Sequence, residues 1–173
     1  GTKVVLRAIE QEDTANYYQW INDEETNQWR GLYYPASKEE ATAWIEDNRK
    51  IRKEALSLSM DVDSQHIGFI GLRGICPRSR RAEIWIYVGN KDYWGKGIGQ
   101  DAVATLCEYA FLQMNLHRIW LECNPEFKAV VRCYENVGFQ NEGTLRDGYF
   151  RDGAYHDTCI MALLSTDKRT KTL

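Results

Sequence analysis

The short, mostly apolar run "KVVLRAI", Lys3 to Ile9, reads as a first strand. Polar residues follow, and "EDTANYYQWIN" reads as a short helix anchored by Tyr17, Tyr18 and Trp20. Ser37 stands three residues before Glu40, the spacing at which each side chain reaches the other's free N–H, so a second helix is predicted from there to about Arg52. The linker between them, "DEETNQWRGLYYP", is aromatic and polar without a clear period, and suits either a connection or one wall of a substrate site. From Leu56 the period becomes two, through "LSLSMDV", a turn at Asp63-Ser64, "HIGFIGLRGI" and "RAEIWIYV" (Arg81 to Val88), which describes an antiparallel meander. Val103, Leu106, Cys107, Ala110 and Met114 then recur at helical spacing, ahead of a strand, "RIWLEC", at Arg118 to Cys123. A helical crossover of that length makes this strand parallel to Arg81–Val88. A further helix runs from about Glu126 to Asn136 and stops at Gly138. Two last strands, about 139–146 and 154–164, meet through "RDG" at 151–153, a hairpin signal.

These elements predict an α/β fold of the α+β kind, with a mixed, mostly antiparallel sheet flanked by helices, in a single domain over 1–173. The chain is 43% hydrophobic and 27% charged, as in ordinary soluble domains. No apolar run nears the roughly 18 residues of a membrane span, so no membrane partner is expected. A net charge of −3 gives no basic field for nucleic acid and suits a cationic substrate slightly better. The five cysteines, at 76, 107, 123, 133 and 159, are odd in number and lack CxxC spacing, so they read as reduced thiols of a cytoplasmic protein. Histidines 66, 117 and 156 have no metal-ligand spacing, and no metal is expected. No signal peptide is expected before the first strand, Gly1-Thr2 resembles the remnant of a cleaved tag, and "STDKRTKTL" (165–173) reads as a loose polar tail.

Three glycines at alternate positions, Gly95, Gly97 and Gly99, lie in "YWGKGIGQDA" just before the helix that begins near Ile98. One reading is an anion site, where bare N–H groups and the helix dipole converge; the other is simply a tight loop. The P-loop pattern fails for want of G-K-[ST]. The dinucleotide fingerprint fits Gly97, Gly99 and Ala102, with Glu122 about 25 residues on. However, Gly89 to Lys96 intervene after the strand, and the upstream chain is a meander.

The stretch from Ala82 through Gly99 resembles the acetyl-CoA loop of the GNAT acyltransferase superfamily, whose signature is Gln or Arg, two residues, Gly, one residue, then Gly or Ala. Trp94 fills the first position, a departure that the ribosomal-protein acetyltransferase branch tolerates, and Gly97 and Gly99 fill the others. "CYENVGF" (Cys133 to Phe139) resembles the superfamily's Tyr-x-x-x-Gly-Phe element. "YFRDGAYHDTCIMALL" is similar to the C-terminal hairpin of the ribosomal-protein branch and of spermidine acetyltransferases. The resemblance implies a sheet that splays between 81–88 and 118–123, with the pantetheine of acetyl-CoA in the gap along Ile86 and Val88. The pyrophosphate would rest on the N–H groups of Gly95, Lys96, Gly97, Ile98 and Gly99, with Trp94 among the cofactor-binding residues, and the Val88 N–H would donate to the thioester oxygen. Where the family usually has an asparagine seven residues before its tyrosine, this chain has Phe127, and Asn124 is the nearest replacement.

Amine acetylation needs a neutral amine and a proton for the departing thiolate. An alkylammonium with pKa about 10.4 is only about one part in two thousand neutral at pH 7, whereas an α-amine near 8 is roughly a tenth neutral. Glu83, on one strand face with Trp85 and Tyr87, is the expected base, directly or through water; the alternative is a surface glutamate paired to Arg73 or Arg81. Tyr134 matches the family's proton donor to the thiolate, the alternative being a packing aromatic. Trp29, Tyr33, Tyr34, Trp85 and His156 are expected on the acceptor side, and His156-Asp157 with Cys159 reads only weakly as a nucleophile system. The expected activity is direct transfer of acetyl to the N-terminal amine of a protein, a ribosomal one by resemblance, with a polyamine, aminoglycoside or amino sugar as the alternative. A CoA-binding sensor without turnover is the reading from another class, motivated by Phe127. The family often dimerises, so a homodimer is the oligomer the resemblance implies.

Overall fold

Two tight hairpins organise much of the sheet. At Asp63-Ser64 both residues take left-handed φ (49° and 63°), and at Asp152-Gly153 they do so again (50° and 80°). Such two-residue turns match the natural twist of the strands they join. The structure is a computed structural model that describes residues 1–27, 34–50 and 52–168. Seven strands appear among these residues: β1 (Val5–Arg7), β2 (Ala55–Val62), β3 (Gln65–Cys76), β4 (Arg81–Val88), β5 (Arg118–Cys123), β6 (Gln140–Arg151) and β7 (Ala154–Leu164). They form one sheet in the order β1-β2-β3-β4-β5-β7-β6. Every neighbouring pair is antiparallel except β4 and β5. The expected meander and the parallel crossover are both present.

The helices are α1 (Asp13–Ile21), α2 (Glu24–Asn27), α3 (Lys38–Asn48), α4 (Ile98–Leu112) and α5 (Lys128–Val137). One face of the sheet, with Ile84, Ile119 and Leu121, packs against Val103, Leu106 and Ala110 of α4 and Tyr134 and Val137 of α5. The other face, with Phe69 and Tyr87, packs against Tyr17 and Trp20 of α1 and Ala41 and Ile45 of α3. Alternation along β4 therefore sends Ala82 and Ile84 to one helical layer and Tyr87 to the other.

Boundaries differ from the sequence pattern for local reasons. Both hydrogen bonds of the Ser37–Glu40 capping box form, but α3 ends at Asn48. α5 starts at Lys128 rather than Glu126, because the Glu126 N–H donates instead to Asn124 Oδ1 at 2.8 Å. Gly138, at φ 115°, ends that helix with its N–H on the Tyr134 and Glu135 carbonyls. The first part of the expected polar tail is tied down: Ser165 N–H donates to the His117 carbonyl at 2.8 Å, and Asp167 Oδ2 accepts from Leu164 N–H.

A polar cluster locks β1, β2 and α1 together. Arg7 grips both carboxylate oxygens of the buried Asp13 at 2.7 and 2.9 Å and donates through Nε to Asp61 at 2.7 Å. Ser59 donates to Asp13 at 2.6 Å, and His66 Nδ1 lies 3.2 Å from its other oxygen. Burial pushes the Asp13 carboxyl up, but the bonds from Arg7, Ser59 and the Glu10 N–H outweigh it and hold the pKa at about 2. Because the folded value lies below the unfolded one, the carboxylate's contribution is full above about pH 4 and is lost as pH falls through about 2. Asp13→Asn is expected to remove about 3 kcal/mol at pH 7, a fall in Tm of several degrees. Urea melts at pH 7 and near pH 2 check this, and equal midpoints at pH 7 would show that the cluster is dispensable.

Candidate active site

The site begins where the sheet stops being a sheet. β4 and β5 pair only at Arg81–Arg118, Ala82–Ile119 and Glu83–Trp120. β4 then continues for five residues to Val88 and β5 for three to Cys123, without pairing to each other. Backbone polarity in this gap follows from the register with β3. The Gly89 N–H donates to the Ile67 carbonyl at 2.9 Å, so Val88, opposite Gly68, is a position that does not hydrogen-bond to β3. Alternation places Ile86, opposite Ile70, in the same class. The peptide groups of Ile86 and Val88 thus face the gap. The Val88 carbonyl accepts the Trp94 Nε1–H at 2.8 Å, and its N–H remains turned to the gap.

Trp94 thereby pins the loop that follows β4. Asn90 Oδ1 accepts from the Asp92 N–H at 3.0 Å and opens a short 3-10 turn at Lys91–Tyr93. Gly95 (φ +69°) and Gly97 (φ +75°) then take left-handed conformations that L-residues rarely adopt. Gly97 is the N-cap of α4, so no side chain caps the helix and its first N–H groups stay bare. An anion there meets unpaired donors and the positive end of the helix dipole. Asp101, in the first turn of α4, does not oppose such an anion as a free charge. Its carboxylate already accepts the N–H groups of Thr2, Lys3 and Val4 at 2.9–3.0 Å. A Cβ on Gly99 would lie 3.8 Å from Ile86 Cδ1 and 4.0 Å from Cys133 Sγ, so the glycine borders β4 and α5 together.

On this helical side of the gap stands Tyr134, only 8% exposed, with its ring tilted against Phe139 at 5.7 Å. Its hydroxyl has no hydrogen-bond partner among the described residues. Burial raises its pKa, and the neighbouring thiols of Cys133, Cys123, Cys107 and Cys159 push the same way. The phenol therefore holds its proton at neutral pH. Cys123 and Cys159 are cross-strand partners with sulfurs 3.1 Å apart, and burial of Cys133 moves its thiol to about 11.

The opposite face carries Glu83, ion-paired to Arg73. That is the partner weighed against a catalytic role in the sequence. Trp85 packs edge-on to Trp44 at 6.3 Å, and Tyr87 donates to Thr26 at 3.2 Å. Tyr34 is 86% exposed, and Trp29 and Tyr33 lie outside the described residues. Asn124 and His156 belong to a separate cluster near the turn end of the last hairpin. Asn124 donates to the Tyr149 hydroxyl, Tyr149 stacks on His156 at 5.1 Å, and His156 Nδ1 is 3.4 Å from Glu126. His156 and Glu126 border an open cavity of about 610 Å³ with Pro125, Lys128, Tyr155 and Asp157. The structure thus brings Ile86, Val88, Trp94–Gly99, Tyr134 and, across the sheet, Glu83 and Trp85 around one gap, while Asn124 and His156 sit to one side. Sequence reasoning missed the anchoring role of Asp101, whose only signal is an acid in a first helical turn. It also took Glu122, the last but one residue of β5 beside the gap, only as part of a dinucleotide pattern.

Comparison with known proteins agrees with this geometry. A family model described as acetyltransferase (GNAT) domain matches residues 3–140. An N-acetyltransferase of Bacillus licheniformis, p20, is 28% identical over 144 residues, covering 81% of this chain and 80% of that protein. The crystal structure of spermidine N-acetyltransferase from Vibrio cholerae in complex with CoA and spermine superposes with a TM-score of 0.85 at 25% identity, covering 95% and 96% of the two chains. RimL, a ribosomal L7/L12 alpha-N-protein acetyltransferase in complex with CoA, shares the fold with a TM-score of 0.83 at 20% identity over 95% of each chain. With the gap, the bare helix N-terminus and the family match in agreement, the chain belongs to the GNAT acetyltransferases and is an acetyl-CoA-dependent N-acetyltransferase.

Proposed function

We propose that the protein transfers acetyl from acetyl-CoA to a primary amine by direct attack in a ternary complex, and that the acceptor is the N-terminal amine of a polypeptide, a ribosomal protein in the first instance. One observation carries this reading: the unpaired edge of β4 leads, through the glycine loop of residues 89–97, to the uncapped N-terminus of α4. In this reading the Ile86 and Val88 peptides hold the pantetheine amides, and the Val88 N–H polarises the thioester carbonyl. The N–H groups from Gly95 to Gly99 take the pyrophosphate, in a loop kept in shape by Trp94, with Lys96 beside it. Bound acetyl-CoA supplies the activated acyl group. Tyr134 supplies the proton that the thiolate needs, because burial keeps the phenol neutral. Asn124 reaches the cofactor only by giving up its bonds to Tyr149 and Glu126. Glu83, the base weighed in the sequence, is held by Arg73 through Oε1. The reduced thiols suit a cytoplasmic enzyme.

A polyamine is the second reading. It is favoured by two carboxylates, Glu83 and Glu122, on the face that an acceptor would approach, and by the likeness to a spermine-bound neighbour.

The deciding experiment measures free-thiol release from acetyl-CoA with short peptides bearing free N-terminal Ser or Ala, spermidine, an aminoglycoside and glucosamine. Turnover with peptides supports the first acceptor, turnover with spermidine moves the assignment to polyamines, and CoA binding with no turnover on any amine overturns the enzyme reading in favour of a sensor. Tyr134→Phe is expected to lower kcat at least tenfold with the Kd for CoA within about twofold. Wild-type kcat in that variant removes the tyrosine from the mechanism. Gly95→Val is expected to weaken CoA binding about tenfold by calorimetry, since nothing within 4 Å resists the new side chain but φ is +69°.

A further inference from the structure

We propose that Lys3 is a positioning residue for the cofactor's pyrophosphate, acting on the peptide group that joins Lys96 to Gly97; this rests on the acetyl-CoA reading above. Lys3 Nζ donates to the Lys96 carbonyl at 3.2 Å. That oxygen and the Gly97 N–H belong to one trans peptide group and point in opposite directions from it. The ammonium therefore holds one edge of the peptide and leaves the N–H on the other edge for an anion. Among the described residues the Gly97 N–H donates to no protein acceptor.

Lys3 is itself held by the helix it serves. Asp101 lies one turn into α4, and its carboxylate accepts the N–H groups of Thr2, Lys3 and Val4 at 3.0, 2.9 and 3.0 Å and the Thr2 hydroxyl at 3.1 Å. The Lys3 backbone is thus fixed beside the first turn, and its side chain reaches the loop. A Cβ on Gly97 would stand 3.2 Å from Lys3 Nζ, at a φ of +75°. Glycine meets two needs at this position, the left-handed turn and room for the ammonium. The other lysines of the loop are engaged elsewhere. Lys91 is paired with Asp23 and Glu25 at 3.0 and 2.9 Å, and the Lys96 ammonium lies 5.6 Å from the centre of the Tyr93 ring. The Lys3 ammonium forms no ion pair among the described residues, so its charge is left to act on the loop.

A cation on the carbonyl oxygen acts in two ways. It polarises the peptide, so that the Gly97 N–H becomes a stronger donor to an anion on the far edge. It also fixes the orientation of a peptide set between Gly95 and Gly97, where the backbone has its greatest freedom. A loop ordered in advance loses less entropy when the cofactor binds. The segment before β1 is therefore a strut between the first turn of α4 and the anion site at its end, clamped at one point by Asp101 and delivering a charge at the other through Lys3.

The test is calorimetric binding of CoA to Lys3→Met, Lys3→Arg and the wild type, beside turnover of acetyl-CoA and of acetyl-pantetheine, which lacks the pyrophosphate. Expected for Lys3→Met is a Kd for CoA about tenfold weaker and a KM for acetyl-CoA raised to match, with kcat, the kcat/KM for acetyl-pantetheine and Tm unchanged. Lys3→Arg keeps the charge and the donors, and is expected to bind CoA within about threefold of wild type. In Asp101→Asn the hold on residues 2 to 4 is loosened, so adding Lys3→Met to it is expected to cost at most about twofold more. Lys3→Met binding CoA within about twofold of wild type, or losing as much with acetyl-pantetheine as with acetyl-CoA, overturns the proposal and leaves the acetyl-CoA reading standing. A full tenfold effect of Lys3→Met on the Asp101→Asn background does the same. A wild-type protein that binds no CoA overturns both. Lys3 is exposed, so unchanged thermal melts separate loop positioning from folding.

Discussion

Three backbone pairs between β4 and β5, and none beyond Glu83–Trp120, are the constraint on which the site depends. Peptide groups inside a sheet must find partners, and those of Ile86 and Val88 find none on the neighbouring strand. Such an edge, flanked on both sides by packed strands, presents donors and acceptors at fixed spacing to an extended, amide-bearing ligand. Pantetheine has that character. The parting is sustained from both sides, since β4 is held along its length by β3 and β5 along its length by β7.

The Gly-rich loop completes the same device at its far end. Left-handed φ at Gly95 and Gly97 lets the chain leave β4 and enter α4 without a capping side chain, and the Trp94 indole fixes the loop to the Val88 carbonyl. That single bond also orients the Val88 peptide. Cofactor recognition and carbonyl polarisation are therefore parts of one backbone arrangement. The acid of α4's first turn, which would oppose a phosphate, is instead spent on the N–H groups of residues 2 to 4. The segment before β1 thus shapes a site about a hundred residues away in sequence.

Charge is distributed unevenly across the sheet. The helical side of the gap holds a neutral phenol among thiols whose pKa values burial has raised, so its proton is in place at neutral pH, and passing it to the less basic thiolate depends on a direct hydrogen bond to the departing sulfur. The acceptor side holds carboxylates, one of them joined to Arg73. Stability is vested elsewhere, in the Arg7–Asp13–Asp61 cluster that staples α1 to the first two strands. Because that cluster lies apart from the gap, the site keeps its unpaired backbone without bearing the fold's electrostatic load.

Much of this was legible in the chain itself. Period-two runs from Leu56 to Val88, the Ser37–Glu40 box, the helix stop at Gly138 and the Asp-Gly turn at 152–153 are local signals, and the structure carries each of them. The glycine spacing marked the loop and Tyr134 stood in a recognisable motif, because both depend on residues close in sequence. What only the tertiary structure decided are relations between distant segments. It committed Glu83 to Arg73, drew Asn124 to Tyr149 and His156 to Glu126, and turned Asp101 toward residues 2 to 4. It also set the side of the sheet on which Glu122 stands, because strand register is a property of the pairing: a shift of one residue in β5 would exchange Glu122 for Cys123 at the lip of the gap.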